Sequence, residues 1–236
     1  MANLTQLKML ENLNGFLLVD KPVGIAFSSV VKTVKRKFNL VKVGHGGSLD
    51  AMASGLMILL INDANKFVGD VMGADRVHTG TMRLGLKTDT HDIHGRKLAE
   101  APADDSSLQS VLPEFRGDIF QIEPRFCSVR KEGSAEYEIA DTGDHSQFLS
   151  HVYRLQVSPM QRERVNFEVS ATKSLLVRTL VNDIGDALGC GACLETLRRI
   201  RIGKFSVEQA VPFDKLLETE IGDFASWVMP LGEALR

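Results

Sequence analysis

The spacing of apolar residues along the chain predicts a succession of strands and helices. Residues 16–19 are a short apolar run that ends at a Lys-Pro turn, which is typical of a buried strand. A helix should follow, capped by Ser28 or Ser29, because apolar residues then recur every four positions. These residues are Val30, Val34 and Phe38. The lysines of this segment fall on the opposite side of the predicted helix.

Later segments show the same two periodicities. The apolar run GLMILLI is bounded by Gly and Asn and predicts a strand, and a helix is expected over residues 64–72. Residues 77–86, VHTGTMRLGL, alternate and predict a strand with a glycine bulge. Residues 165–169 alternate as a further strand, and residues 175–188 have a helical pattern that ends at Gly189.

The order of these elements predicts the fold class. Strands and helices are intermixed without a repeating βαβ unit, which favours α+β with a mixed, mainly antiparallel sheet flanked by helices. Leucines at helical spacing predict a short amphipathic extension over residues 1–13. Residues 99–107 are polar and acidic and predict a surface loop, whereas residues 123–151 have weak periodicity and predict a long excursion from the core.

The composition is that of a soluble globular protein. The chain has 236 residues, of which 44% are apolar and 25% are charged. It has no run of eighteen apolar residues and no apolar core of a signal peptide at its N-terminus, so we expect a cytoplasmic protein without a membrane span. Three cysteines, an odd number, argue against a disulfide framework and for a reducing compartment.

Basic residues are clustered although the net charge is only −2. No acidic residue lies between Asp20 and Asp50, but that segment contains Lys21, Lys32, Lys35, Arg36, Lys37 and Lys42. A second cluster contains Arg198, Arg199, Arg201 and Lys204. Two such patches on a mildly acidic protein indicate a surface that contacts phosphates; for the first patch, a solvated helix face is the alternative.

The stretch KVGHGGSLDAMASG, residues 42–55, holds four glycines, one histidine and one carboxylate. Interior glycines disfavour a helix, so an irregular loop is expected here. Glycines let the backbone approach a ligand closely, and a turn can hold a side chain out from the surface. Asp50 is therefore either a functional carboxylate or an ordinary solvated turn residue.

Four motifs in order together resemble the TruB family of pseudouridine synthases, which isomerise the uridine of the tRNA T-loop. They are GFLLVDKPVGIAFSSVVKTVKRKF, VGHGGSLDAMASGLM, RLGLKTDTHDIHG and VRTLVNDIGDALGCGACLETLRRIRIGKF. The resemblance covers roughly residues 14–205 and implies the pseudouridine synthase fold, with a catalytic domain over residues 14–236 and a thumb-like insertion over residues 123–151. It implies that Asp50 is the essential aspartate and Arg178 the active-site arginine.

Four departures accompany the resemblance. His78 stands where the family has a tyrosine that stacks on the target base, and Leu176 replaces a second active-site tyrosine. The family segment P-P-x-x-S-A-x-K reads EPRFCSVR here. The chain ends soon after VMPLGEALR, so we expect it to lack the small C-terminal RNA-binding domain that many members carry.

The implied reaction breaks the N-glycosidic bond of uridine, turns the base and rejoins it through carbon. It needs a carboxylate but no cofactor and no metal; Asp50 would attack the sugar or the base, or stabilise charge, with Arg178 keeping it ionised. His78 would replace the family tyrosine as the base platform. The residues expected to contact the substrate are His45, Gly46, Gly47, Leu176, Leu197, Lys21 and Arg199. For Leu197, an ordinary core leucine is the alternative.

The expected partner is RNA, most simply the T-arm of tRNA with its uridine at position 55, bound by a monomer. Two other functions are weighed against this one. A weakly active or inactive RNA-binding or RNA-folding protein on the same scaffold is suggested by the two missing tyrosines. A metal-dependent hydrolase is suggested by DTHDIH, whose candidate ligands are Asp89, His91, Asp92 and His94. A turn near the RNA-binding face is the alternative for this segment.

Overall fold

The computed structural model describes residues 10, 12–104, 107–122, 126–131, 134–139 and 147–235. Its strands are β1 (Gly15–Lys21), β2 (Val43–His45), β3 (Ser54–Ile61), β4 (Arg76–Leu84), β5 (Leu86–Thr88), β6 (Lys97–Glu100), β7 (Gly117–Ile122), β8 (Phe126–Lys131), β9 (Ser134–Ile139), β10 (Gln147–Val157), β11 (Arg164–Ala171), β12 (Ala192–Ile202), β13 (Phe205–Ser206), β14 (Val211–Pro212) and β15 (Val228–Pro230). Its α-helices are α1 (Phe27–Lys37), α2 (Val68–Gly73), α3 (Leu108–Val111), α4 (Val177–Ala187), α5 (Phe213–Glu218) and α6 (Leu231–Ala234). Short 3₁₀ helices are Asn62–Phe67, Leu112–Phe115, Val207–Gln209 and Phe224–Trp227.

The chain folds into two compact units. The first unit comprises Met1–Ala74 and Arg199–Arg236, and the second comprises Asp75–Arg198. The expected domain over residues 14–236 therefore includes both units. Strand β12 begins in the second unit and ends in the first.

Strands β1 and β3 form the centre of the first unit. They pair antiparallel from Gly15 opposite Ile61 to Lys21 opposite Gly55, whereas β1 pairs parallel with β14. Seven of the eight residues of β3 are buried, because this continuous apolar run is covered on both faces. The two strands predicted over residues 16–19 and over GLMILLI are confirmed.

Helix α1 buries Val30 and Val34 and leaves Lys35 and Arg36 exposed, as its spacing predicts. The predicted serine cap is wrong. Ala26 occupies the N-cap position and makes no side-chain cap, and the Ser29 N–H donates to the Ala26 carbonyl. Helical hydrogen bonding thus begins before the serines, which lie in the first turn. The helix expected over residues 64–72 is a 3₁₀ turn followed by α2.

The sheet of the second unit has the strand order β12, β4, β11, β10 and β7. Strands β4, β11, β10 and β7 pair antiparallel with their neighbours in that order. Strands β4 and β11 pair in unbroken register, with Gly80 opposite Phe167, so this pairing has no bulge at Gly80. The second glycine of the predicted strand, Gly85, has a φ of 80° and separates β4 from β5. Glycine is required at position 80 for another reason. A Cβ there would collide with the Thr196 carbonyl oxygen and with the ring of Phe167.

Helix α4 packs Leu180, Val181 and Ile184 into the interior of the second unit. Its predicted end is confirmed, because Ala187 is its last residue and Gly189 follows with a φ of 75°. Strand β6 occupies the start of the loop expected over residues 99–107, of which residues 105 and 106 lie outside the described residues.

Two predicted segments fall partly outside the described residues. In the excursion expected over residues 123–151, β8 and β9 form an antiparallel hairpin of their own and β10 begins at Gln147; residues 123–125, 132–133 and 140–146 are not among those described. For the N-terminal extension, the same holds for residues 1–9 and 11.

The expected fold class, α+β with a mixed and mainly antiparallel sheet flanked by helices, is confirmed. Within the described part of the chain, no helix combines the length and the apolar character that crossing a membrane requires.

Candidate active site

The glycine-rich stretch forms a loop over residues 46–53, called here the Asp50 loop, between β2 and β3 of the first unit. One backbone hydrogen bond ties the start of the loop to β3, and another closes a turn at its end. The Gly46 N–H donates to the Ile58 carbonyl at 2.8 Å, and the Ala53 N–H donates to the Asp50 carbonyl at 3.1 Å. Leu49 and Met52 are buried on either side of Asp50, which is half-buried. These two buried side chains thus help to fix the direction in which the Asp50 side chain projects from the loop.

Arg199 holds the first half of the Asp50 loop. Its side chain is only 2% exposed, and its Nη1 donates to the Ser48 carbonyl at 2.9 Å and Nη2 to the Gly47 carbonyl at 3.4 Å. The Nε of the same guanidinium donates to the Leu56 carbonyl at 2.8 Å. Gly55 permits this approach: it has a φ of 108°, and a Cβ there would collide with the Arg199 carbonyl oxygen.

Lys21 bonds the second half of the loop, at Ala51. It is fully buried at the end of β1, and its Nζ donates to the carbonyls of Pro22 and Ile25 at 2.9 Å and of Ala51 at 3.4 Å. Burial lowers the pKa of Lys21 from 10.5 to about 8; the charge of Asp50 acts in the opposite direction, and that of Arg199 lowers it further. The Lys21 ammonium therefore lies within electrostatic range of the Asp50 carboxylate.

Two buried cations thus bond loop carbonyls on both sides of Asp50. A buried cation is tolerated only when donors are satisfied and an anion is near, and the loop supplies both. This changes the role expected for Lys21 and Arg199. Their burial does not support direct contact with RNA phosphates, and they instead fix the loop that carries the carboxylate.

His45, the last residue of β2, packs its ring edge-on against Phe27 with centroids 5.0 Å apart. Its Nδ1 accepts a hydrogen bond from the Gly47 N–H at 3.3 Å, which leaves Nε2 to carry the proton. Gly46 is buried, and a Cβ at this position would collide with Val71, so only glycine fits here. Gly46 and Gly47 therefore lie in the Asp50 loop, and His45 directly precedes it at the end of β2.

Arg178 lies in the first turn of α4, in the second unit. Its Nη1 donates to the Thr90 carbonyl at 3.2 Å and to Asp92 Oδ2 at 3.4 Å. Asp92 is buried, and its Oδ1 accepts from Thr90 Oγ1 and from the His94 N–H, both at 3.0 Å. Asp92 is thus a rigid anion that orients the guanidinium of Arg178.

Sequence reasoning considered Asp92 as a possible metal ligand or as part of a turn near the RNA-binding face, and missed it as the partner of Arg178. The available signal was the motif RLGLKTDTHDIHG, in which Asp92 matches the second aspartate of the family pattern L-G-x-x-T-D-T-x-D-x-x-G. Among the residues that the structure describes, no group of three or more His, Cys, Asp or Glu side chains is arranged to hold a metal ion. Asp89 instead accepts from the Arg96 N–H at 2.8 Å.

The remaining predicted site residues also lie in the second unit. His78 is 7% exposed and stands opposite Val169 in the pairing of β4 with β11. Leu176 is the N-cap residue of α4, and Leu197 is buried in β12. Asp50 belongs to the first unit, so its pairing with Arg178 stays a prediction.

Two family models match the chain. The first, described as TruB family pseudouridylate synthase (N terminal domain), matches residues 35–177. The second, described as tRNA pseudouridylate synthase B C-terminal domain, matches residues 178–236.

Relatives and solved structures agree with these matches. The chain is 36% identical over 228 residues to tRNA pseudouridine synthase B of Burkholderia lata, which covers 94% of this chain and 71% of the relative. It is 35% identical over 214 residues to tRNA pseudouridine synthase B of Bordetella avium, which covers 87% of this chain and 88% of the relative. A chain in a structure described as a Cbf5-Nop10-Gar1 complex superimposes with a TM-score of 0.73 at 25% identity over 97% of this chain. This chain spans 63% of the length of that one.

Together with the fold, these matches define a pseudouridine synthase, an enzyme that isomerises uridine in RNA. The chain belongs to the TruB family of these enzymes, and the resemblance drawn from its four motifs is confirmed.

Proposed function

We propose that this protein converts the uridine at position 55, in the T-loop of tRNA, to pseudouridine. Support comes from the relatives, which are named tRNA pseudouridine synthase B. The T-loop position follows from the family that the four motifs resemble. RNA is then the partner, and action as a monomer in the cytoplasm is part of the same proposal.

Asp50 is the catalytic carboxylate in this proposal. The observation that carries it is the pair of buried cations, Lys21 and Arg199, which bond the carbonyls of residues 47, 48 and 51 around one half-buried Asp. A solvated turn aspartate needs no such support. A carboxylate that must meet a reacting sugar or base in a fixed geometry does, because misplacement slows reaction steeply.

The carboxylate acts by attack on the sugar or the base, or by stabilising charge as the glycosidic bond breaks. Arg178, oriented by Asp92, has the role of keeping the catalytic carboxylate ionised. His45 and the glycines beside it contact the displaced nucleotide, since glycines allow a close approach. His78 provides the ring on which the base stacks, and Leu176 and Leu197 provide apolar walls.

The test is release of tritium from a T-arm stem-loop labelled at C5 of uridine, because forming the new bond at C5 displaces that hydrogen. Purified wild-type protein should release tritium from an RNA with uridine at position 55 and not from one with cytidine there. Asp50→Asn should lower the single-turnover rate by roughly 10³-fold or more, the scale seen when a catalytic nucleophile is removed. RNA affinity should stay within about two-fold, because the substitution keeps the shape of the side chain.

Two outcomes would contradict the proposal. Turnover by Asp50→Asn at a rate near that of wild type would remove Asp50 from the chemistry. Tight RNA binding by wild type without tritium release would favour the RNA-folding alternative. Mapping pseudouridines in tRNA and ribosomal RNA, with and without the protein, identifies the uridine in cells.

A further inference from the structure

Helix α4 begins without a side-chain cap of its own. Leu176 occupies the N-cap position with φ −91° and ψ 102°, and a leucine side chain cannot accept a hydrogen bond from the first turn. The first turn of α4 carries Arg178. Any contact that fixes the backbone of Leu176 therefore also helps to fix the position of the Arg178 Cα atom.

Gln121 of β7 fixes that backbone. Its Oε1 accepts from the Leu176 N–H at 3.0 Å, and its Nε2 donates to the Leu176 carbonyl at 3.0 Å. One side-chain amide thus bonds both polar groups of one residue, as two residues do in a hydrogen-bonded pair of an antiparallel sheet. This pattern also assigns the amide orientation, because only the oxygen can face the N–H and only the nitrogen the carbonyl.

The Gln121 amide is itself held in place. Gln121 is 1% exposed, and its Oε1 lies 3.4 Å from the Ser150 hydroxyl. Ser150 Oγ lies 3.0 Å from Ser174 Oγ, which donates to the Leu149 carbonyl at 3.0 Å. The contacts recorded for the amide are therefore all with uncharged groups, and the network links β7 and β10 to the start of α4. Buried hydrogen bonds of this kind restrict the motion of the groups that they join.

We propose that Gln121 is a positioning residue for Arg178, an inference that rests on the proposed role of Arg178 in isomerisation. Gln121 fixes the origin of the Arg178 side chain, while Thr90 and Asp92 fix its guanidinium. With Gln121 removed, the buried Leu176 N–H loses this acceptor, and the Leu176 carbonyl is held by the helical bond from the Leu180 N–H at 3.0 Å without the second bond from Gln121. The start of α4 is then held less firmly, and its first turn frays. The guanidinium then samples several positions, and the chemical step slows more than RNA binding weakens.

Two variants test this inference. Gln121→Met keeps the length of the side chain and removes both hydrogen bonds, so its single-turnover rate of tritium release should fall by about ten-fold or more, with RNA affinity within about two-fold. Gln121→Glu keeps the acceptor but loses the donor while the new carboxyl is ionised. Burial raises the pKa of such a carboxyl, and its protonated form again offers one acceptor and one donor. Its rate relative to wild type should therefore recover as the pH falls from about 8 to about 6.

Ser158→Ala is the matched control, because the Ser158 hydroxyl accepts from the Asn166 N–H at 3.1 Å, in the same unit but away from α4. It should keep the wild-type rate. Amide hydrogen exchange by NMR gives a second readout that needs no RNA. The amide hydrogens of Leu176, Val177 and Arg178 should exchange faster in Gln121→Met than in wild type, and at the wild-type rate in Ser158→Ala.

The outcomes separate this inference from the proposed function. If wild type releases no tritium, the proposed function fails, and unchanged exchange at Leu176 in Gln121→Met would still overturn the positioning role. If wild type is active, three results would each overturn it: a wild-type rate in Gln121→Met, weaker RNA binding with an unchanged single-turnover rate, or no relative recovery of Gln121→Glu at low pH.

Discussion

Asp50 lies in a loop whose neighbouring carbonyl oxygens accept hydrogen bonds from buried cationic side chains. The carbonyls and the carboxylate offset the cost of burying Lys21 and Arg199, and the cations in turn remove freedom from the loop. The burial of Lys21 and Arg199 and the fixed position of Asp50 thus depend on one another. At the scale of single residues, changes of charge at Lys21 should therefore alter the rate of the chemical step.

The pKa of Lys21 predicts a loss of activity at alkaline pH. Above about pH 8 the side chain is neutral, has two N–H donors for three carbonyls, and no longer opposes the charge of Asp50. The single-turnover rate of wild type should fall as the pH rises from about 7 to about 9. Lys21→Arg, which keeps its charge throughout, should not show this fall, and any titration of the RNA is common to both proteins.

Unfolding does not explain such a loss. Between about pH 8 and 10.5 the unfolded chain keeps a proton that the folded chain has released, so this group makes folding more favourable as the pH rises. A wild-type rate that is flat over the range, or an equal fall in Lys21→Arg, would show that the Lys21 ammonium does not support the reaction.

His78 is the second residue whose replacement should change the rate. An imidazole ring can stack on a base, and stacking is worth about 1 to 3 kcal/mol per base. We therefore expect His78→Ala to slow single turnover by roughly ten-fold or more, since about 1.4 kcal/mol is a factor of ten. His78→Tyr should retain activity, because it restores the ring type that the family pattern has at this position. An unchanged rate in His78→Ala would mean that another group holds the base.

At the scale of elements, the sequence predicted strands β1, β3, β4 and β11 and helices α1 and α4, but it gave no strand prediction for β7, β10 or β12. β1, β3, β11 and α4 carry their periodicity in their own residues, because one face or both are buried. The start of α1 and the reason for the glycine within β4 could not be predicted from periodicity. The start of α1 depends on the backbone of Ala26 rather than on a serine, and Gly80 is required by Phe167 and Thr196, which lie far away in sequence.

The supports of the candidate site were the least predictable part. Asp50 and Arg178 could be named because whole motifs surround them. Arg199 bonds loop residues about 150 positions away, and Gln121 bonds Leu176 across 55 positions. A bond from a side chain to a distant backbone carbonyl leaves no periodic pattern in the sequence, and its partner is fixed only by the folded chain. The charge pattern placed Lys21 and Arg199 in patches expected to contact phosphates, and it could not show that both side chains are buried and bond the Asp50 loop.

At the scale of the whole molecule, the basic residues divide into two sets with different roles. Lys35 and Arg36 are exposed on α1, whereas Lys21 and Arg199 are buried. Lys37 is half-buried and donates to the Leu217 carbonyl. Only exposed cations can release counterions from RNA, so a net charge of −2 and a count of basic residues say little about affinity. The salt dependence of binding separates the two sets.

RNA affinity should fall with ionic strength, and Lys35→Gln combined with Arg36→Gln should flatten the slope of log affinity against log salt. Each phosphate contact contributes about 0.7 for single strands and about 0.9 for duplex RNA treated like B-DNA, so the double variant should lower the slope by up to about 1.4 to 1.8. Arg199→Lys, which disturbs the Asp50 loop, should slow turnover and leave the slope unchanged. Fluorescence anisotropy of a labelled T-arm stem-loop between about 50 and 200 mM KCl measures both. If the slope is unchanged in the double variant, the exposed face of α1 is an ordinary solvated surface. If the slope is flatter in Arg199→Lys, Arg199 contacts a phosphate.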